Sequence, residues 1–324
     1  MAVEAPERGG SDLAARIERA VRLLGPLAER DVPLAPMTTY RVGGAAAVFV
    51  RPSTVDDLVA VATAWRDSAL PMLVVGRGSN LLVADEGHPG IAVSLLGLSN
   101  DIALGEPDHA GRVVVEAGGA VSLPVLARRT VAAGITGFEW AVGVPGSIGG
   151  GVRMNAGGHG SDMATCLDDV DLFDLSLGEP RRVAASELGL RFRGSDLRDH
   201  ELVLSARLAL ARGTRVESER ELDEIVRWRR ENQPGGQNAG SVFVNPVPGE
   251  VTAGELIDRV GLRGLRIGTA HVSEKHANFI QADDGGRAAD VRAVIELVRE
   301  RVARETGYLM RSEVRMVGFS EADR

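Results

Sequence analysis

The residues best suited to chemistry lie in two glycine-rich stretches. The longer, GFEWAVGVPGSIGGGVRMNAGGHGSD (137–162), has nine glycines among 26 residues, around a Pro145-Gly146-Ser147 turn and the triplet Gly149-Gly150-Gly151. Glycine loses more backbone freedom on folding than any other residue. A folded chain that concentrates glycines brings backbone N–H groups close to something, commonly a phosphate. A linker of this length would be polar and serine-rich. This segment carries Phe138, Trp140, Val142, Val144, Ile148, Val152 and Met154, so it reads as buried. The shorter stretch, Gly76-Arg77-Gly78-Ser79-Asn80, stands between two short apolar runs. It reads as a loop between strands, with backbone, Ser79 and Asn80 groups facing a ligand. By residue type alone it could equally be an ordinary turn. The dinucleotide fingerprint GxGxxG, opening a helix after a first strand, is absent.

Composition narrows the ligand. Lys+Arg number 37 against 45 Asp+Glu, a net charge of −8, which argues against general nucleic-acid binding. An anionic small molecule remains compatible, because local charge decides its binding. Arginine supplies all the cationic residues except Lys275. The six histidines are scattered, His271 and His276 are five apart, and Cys166 is the single cysteine, so no metal site is expected. One cysteine suits a reducing cytoplasm and reads as a small buried hydrophobe. No run approaches the ~20 apolar residues of a membrane span. The first twelve residues show no signal pattern and read as a short disordered lead.

The elements that must position these stretches follow from periodicity. Leu13, Ile17, Ala20, Val21, Leu24 and Leu27 fit one helix face. A strand is expected at 48–50, then a helix over 54–67 opened by Thr54 and Asp57 at capping-box spacing. Further strands are expected at 71–75, 81–83, 91–95 and 112–116, and a helix from Ser122 to Gly134. Strands near 170–175 and 202–210 follow, the second alternating as a half-buried antiparallel strand does. A charged helix over 217–232 leads into the polar break 231–238. Helices near 253–261 and 290–306 and strands near 278–281 and 313–317 complete the chain.

Four segments stand out together: GRGSNLLV (76–83), GVPGSIGGGVRMNAGGHGSD (143–162), NAGSVFVNP (238–246) and RSEVRMVG (311–318). With TTYRVGGAA (38–46), FRGSDLR (192–198) and the run 253–280, their order and spacing resemble the UDP-N-acetylmuramate dehydrogenase (UDP-N-acetylenolpyruvoylglucosamine reductase) family over about residues 36–318. The spacing is similar to the family's shorter form, which lacks an extra tyrosine-bearing loop.

The resemblance implies an α+β fold. A two-subdomain FAD-binding fold of the vanillyl-alcohol-oxidase type would occupy 36–211 (about 36–100 and 101–211), and an α+β substrate domain 215–318. A lead and helix (1–35) and a tail (319–324) would flank them. It implies that Gly76, Arg77, Gly78, Ser79, Asn80, Pro145, Gly146, Ser147, Gly149 and Gly150 hold the FAD pyrophosphate and flank the flavin, with Asn155 and Ala156 beside them. NADPH would give a hydride to FAD. Reduced flavin would pass it from N5 to C3 of the enolpyruvyl ether of UDP-N-acetylglucosamine, and C2 would take a proton. Arg193 would pair with the substrate carboxylate, Glu313 would share a hydrogen bond with it as the protonated acid, and Ser241 would protonate C2. Taken singly, Arg193 could be a surface arginine, Ser241 a turn residue and Glu313 a solvent-facing strand residue. The family's tyrosine before the motif arginine is Phe192 here. Lys275, His276, Gln237 and Asn245 would contact substrate. Arg229 and Arg230 would meet a phosphate or form the charged outer face of their helix. No metal, nucleic acid or membrane partner is implied, and the oligomeric state is open. Two other readings remain at this point: another flavin oxidoreductase of the same fold, and a nucleotide-sugar-binding module without redox chemistry.

Overall fold

The computed structural model describes residues 8–247 and 249–319. Most of the expected lead and tail therefore lies outside the described residues, and helix α1 (Arg8–Leu24) already begins inside the expected lead. Three packed regions, each built on a sheet, follow one another along the chain. The first is a four-stranded sheet in the order Glu29–Pro33, Ala45–Val50, His88–Val93, Met72–Val74, antiparallel in its first pair and parallel in the others. Helix α2 (Val55–Ser68) starts on the expected capping box: Asp57 N donates to Thr54 Oγ1 (3.1 Å) and Thr54 N to Asp57 Oδ2 (3.0 Å). Its apolar face, Leu58, Val61 and Ala62, packs with Ala20 and Leu24 of α1 and Val48, Val50 and Ile91 of the sheet.

The second sheet is antiparallel throughout, in the order Glu179–Ala184, Leu167–Asp174, Glu201–Arg212, Arg112–Gly118, Ile102–Leu104, with Ile135–Thr136 beside the end of the long central strand. Its core takes in helices α3 (Leu123–Ala132), α4 (Ile148–Met154) and α5 (Arg215–Asn232). Ser122 precedes α3 as expected, but its hydroxyl makes no capping bond.

Helix α4 is the element that composition hides. Three glycines in one turn disfavour a helix by about 1 kcal/mol each relative to alanine. Here close packing favours two of them. A Cβ at Gly149 would come 3.1 Å from Gly119 O, and one at Gly151 would come 2.9 Å from Met163 Cε. The helix therefore lies close to the Gly119 turn and the Met163 side chain, with little room for larger residues at these two positions. Ser147 caps it through its hydroxyl (Gly150 N to Oγ, 3.3 Å), and Asn155 ends it in the left-handed conformation.

The C-terminal region packs α6 (Ala253–Arg259) and α7 (Ala288–Thr306) on a small antiparallel sheet, Arg266–Ile267, Ala270–Val272 and Ile280–Ala282. The strand expected at 278–281 starts two residues later, because Asn278 is occupied elsewhere. Its side chain exchanges two hydrogen bonds with the backbone of Phe243 (2.9 Å each). The last strand, expected over 313–317, is shorter, Arg315–Val317, and it leaves this region. It pairs in parallel with Leu81–Val83 of the first subdomain, immediately after the 76–80 loop. That return carries a C-terminal residue onto the glycine loops.

Candidate active site

The 76–80 loop crosses the end of the first sheet. Gly78 has φ +58°, and a Cβ there would strike Met37 O at 2.1 Å and Thr38 Cα at 2.6 Å, so only glycine lets the loop lie on Met37–Thr38. Among the described residues, none of the backbone N–H groups from Gly76 to Asn80 donates to a protein acceptor. Unpaired backbone donors on a concave turn make an anion-binding nest. The 145–151 segment differs. Ile148 N donates to Val121 O, Gly149 N to Gly119 O, Gly150 N to Ser147 Oγ and Gly151 N to Ser147 O. Those donors are committed to the fold, so this segment offers a glycine-rich wall rather than a phosphate cradle.

The two segments face each other across a cavity of about 590 Å³. Gly76, Arg77, Gly78, Ser79, Asn80, Pro145, Gly146, Ser147, Gly149 and Gly150 all line it. Asn155 does not. Its amide donates to Asp162 Oδ2 (3.0 Å) and Arg191 O (3.3 Å), and its carbonyl accepts Ala164 N (2.9 Å), so it closes α4. A mostly apolar, glycine-walled cavity with a free N–H nest at one end fits a dinucleotide such as FAD, flat ring along the wall and pyrophosphate at the nest.

Arg193, Ser241 and Glu313 line the same cavity. Arg193 stands in the tight turn Arg191–Gly194 with φ +56°, a conformation costly for a side-chain-bearing residue and typical of functional sites. Its Nη1 donates to Gly157 O (3.1 Å), and its Nε lies 3.0 Å from Glu313 Oε2. That contact is an ion pair without the alignment of a hydrogen bond. Ser241 and Glu313 are brought together by backbone pairing: Glu313 N donates to Val242 O (2.7 Å) and Val244 N to Arg311 O (2.9 Å). Val242 N in turn donates to Asn278 O, so buried Asn278 fixes the segment that carries Ser241. Asn80 Nδ2 donates to Glu313 O (2.8 Å), which ties the nest to the acid. Burial pushes the Glu313 carboxyl above the ordinary range, and the charges of Arg193 and Arg311 only partly oppose it.

The cavity also has walls that the motifs alone do not assign. Arg315 lies two residues after Glu313, and the alternation expected over 313–317 would have put both on one side. It pairs with Asp199 (2.9 Å), as does Arg153, so two guanidiniums share one carboxylate. Arg229 reaches the cavity from α5, as do Trp228 and Gln233 from the end of that helix. The four further residues expected at the substrate are engaged within the protein. Lys275 Nζ donates to Arg230 O (2.6 Å), Asn245 Oδ1 accepts Ala253 N at the start of α6, Gln237 donates to Asp284, and the His276 ring packs edge-on to Phe279. None of these four lines the cavity. Among the described residues no cluster of acidic, histidine or cysteine side chains could hold a metal, and no helix is long and apolar enough to cross a membrane.

A family model described as FAD binding domain matches residues 46–184, so the class is that of proteins built on an FAD-binding domain. A second model, the C-terminal domain of UDP-N-acetylenolpyruvoylglucosamine reductase, matches residues 232–317. The reductase of Heliobacterium modesticaldum is 42% identical over 89% of this chain and 90% of its own length. That of Gloeobacter violaceus is 44% identical over 89% and 95%. The solved structure of the Thermus caldophilus enzyme superposes with a TM-score of 0.74 at 34% identity, covering 90% of this chain and 98% of that one. The chain belongs to the UDP-N-acetylenolpyruvoylglucosamine reductase family.

Proposed function

We infer that this protein is an FAD-containing, NADPH-dependent reductase that converts the enolpyruvyl ether of UDP-N-acetylglucosamine to UDP-N-acetylmuramate. The observation that carries the reading is the convergence of Arg193, Glu313 and Ser241 on one cavity beside the free N–H nest of 76–80. FAD, when bound, supplies a two-electron carrier between NADPH and C3 of the vinyl ether.

The chain's own groups handle the charge and the proton. Hydride addition at C3 pushes negative charge onto the substrate carboxylate. Arg193 meets it with a planar fork that lysine cannot reproduce. Glu313, whose carboxyl burial pushes toward the protonated form, is placed to share a hydrogen bond with the same oxygens, so charge develops against preorganised groups. Ser241 delivers a proton to C2 on the opposite side, which completes the addition of hydride and proton across the double bond. Arg229 and Arg315 give the cavity the positive charge that a nucleotide diphosphate requires. The product places the enzyme in cytoplasmic peptidoglycan precursor synthesis, and so in cell-wall growth and division.

The test is direct. Purified protein should be yellow or become so with FAD, and should oxidise NADPH only when the enolpyruvyl nucleotide is added. Colourless protein that takes up no FAD would favour a non-redox binding module. Flavin that turns over with other acceptors but not with this substrate would favour another flavin oxidoreductase.

A further inference from the structure

Helix α5 ends in Trp228-Arg229, and these two neighbours do different things. The Arg229 guanidinium lines the main cavity, its stem lying against Gly143, and among the described residues no carboxylate pairs with it. A partly buried cation without a protein counter-ion is costly unless a ligand supplies the anion. Trp228 is 46% exposed, unusually open for a tryptophan, and stands between the main cavity and a second hollow of about 510 Å³. His159, with φ +52°, meets its ring edge-on at 5.2 Å. Burial and Arg229 both push the His159 imidazole down, which favours its neutral form beside the indole. The second hollow is edged by Glu221, Glu224 and Glu231 with Arg227 beside them, so three carboxylates against one guanidinium favour an uncharged ring over a phosphate. Gln233 Oε1, one turn on, is buried without a partner and lines the main cavity, ready to accept a ligand N–H or O–H.

We propose that Trp228, braced edge-on by His159, is a stacking platform for the flat base of a nucleotide whose phosphates turn inward to Arg229. The inference rests on the reductase reading, because both of that reaction's soluble substrates are nucleotides. It adds the residue that grips the base. Stacking on an aromatic ring tolerates any base, so uracil of the sugar nucleotide and adenine of NADPH share the required chemistry.

The experiment uses the FAD-loaded protein with Trp228→Leu and Trp228→Phe, and titrates UDP, 2′,5′-ADP and inorganic pyrophosphate. Flavin content, unchanged in all three proteins, reports intact folding. For at least one nucleotide, Trp228→Leu should weaken binding about tenfold, equivalent to ~1.4 kcal/mol. Trp228→Phe should recover most of it, pyrophosphate should bind all three alike, and indole fluorescence should be quenched by that nucleotide in the wild type only. The nucleotide affected identifies the base. Equal affinity of Trp228→Leu for both nucleotides overturns the platform. So does an equal loss for pyrophosphate, which would make Trp228 a mere support for Arg229. A wild-type protein that binds neither nucleotide sinks the reductase reading itself, and the platform with it.

Discussion

Arg193 Nε lies 3.0 Å from Glu313 Oε2, although the two residues come from opposite ends of the fold. Arg193 is held by a strained turn beside the second sheet, and Glu313 by the segment that returns from the C-terminal region to the first. The pair forms only when all three cores are assembled. Both side chains are largely shielded, 27% and 14% exposed, so the guanidinium and the carboxyl see each other through little water.

Arg193→Lys keeps the charge and removes the fork. With the carboxylate then met by a single point donor, oxidation of reduced flavin by the enolpyruvyl substrate should slow by roughly 10²-fold, the scale of losing one preorganised donor. FAD content should stay full, since Arg193 bonds Gly157 O and pairs with Glu313 but makes no contact of its own with the 76–80 nest. Stopped-flow reoxidation checks this, and an unchanged rate would remove Arg193 from the mechanism.

Ser241→Ala separates the two half-reactions. Reduction of the flavin by NADPH needs no proton at C2 and should proceed nearly normally. Reoxidation by substrate should fall by roughly 10²–10⁴-fold, the usual worth of a positioned proton donor. A matched loss in both halves would mean that the hydroxyl shapes the cavity instead of donating.

How much of this was legible beforehand differs by residue. The helix caps, the alternating strand 201–212 and the two glycine loops could be read locally, because turn chemistry and periodicity act over a few residues. Helix α4 could not: Gly149 and Gly151 suit the nearness of Gly119 and Met163, which no local pattern records. The pairing of Arg315–Val317 with Leu81–Val83 was hidden for the same reason, since parallel partners carry no hairpin signal. Motif spacing pointed to Arg193, Ser241 and Glu313, and the cavity contains all three. It also pointed to Lys275, whose ammonium instead caps the end of α5 through Arg230 O.

Glu313→Gln should change the pH dependence of stability in a defined direction. Burial raises the folded-state pKa above the unfolded value. Below the ordinary carboxylate range both states are protonated and the group contributes nothing. As pH rises through the window between the two values, the unfolded chain ionises first and the native state loses ground, by about 1.4 kcal/mol per unit of separation. The variant lacks this penalty. Its Tm relative to wild type should therefore rise between acidic and neutral pH, even as substrate turnover falls. A difference that is flat with pH would place Glu313 in an ordinary solvated environment.

Tyr40 is fully buried in the C-terminal core, and its hydroxyl has no partner among the described residues. A buried, unpaired hydroxyl costs about 1–3 kcal/mol. Tyr40→Phe keeps the ring packing and deletes the orphan, so urea unfolding should show a gain of about 1 kcal/mol with turnover unaffected. A loss of stability would mean that the hydroxyl is satisfied in solution.

Glu139 is the opposite case. Buried at 3% exposure, it accepts hydrogen bonds from Ser218 Oγ (2.6 Å), Thr136 Oγ1 (2.7 Å) and Gly137 N (2.7 Å), and so fastens α5 to the turn that leads into the cavity wall. Burial alone would raise its pKa, but these bonds together outweigh it and hold the carboxyl below the ordinary range. The stabilisation is therefore complete above the unfolded-state pKa and is lost as pH falls through the folded one. Glu139→Gln should cost about 2 kcal/mol at neutral pH, the scale of hydrogen bonds to a charged group. The gap to wild type should close on acidification, because protonation removes from the native protein the same acceptor that the substitution removes. Urea titrations at neutral and at acidic pH read both quantities, and a gap that widened in acid would show that the carboxyl is held neutral rather than ionised.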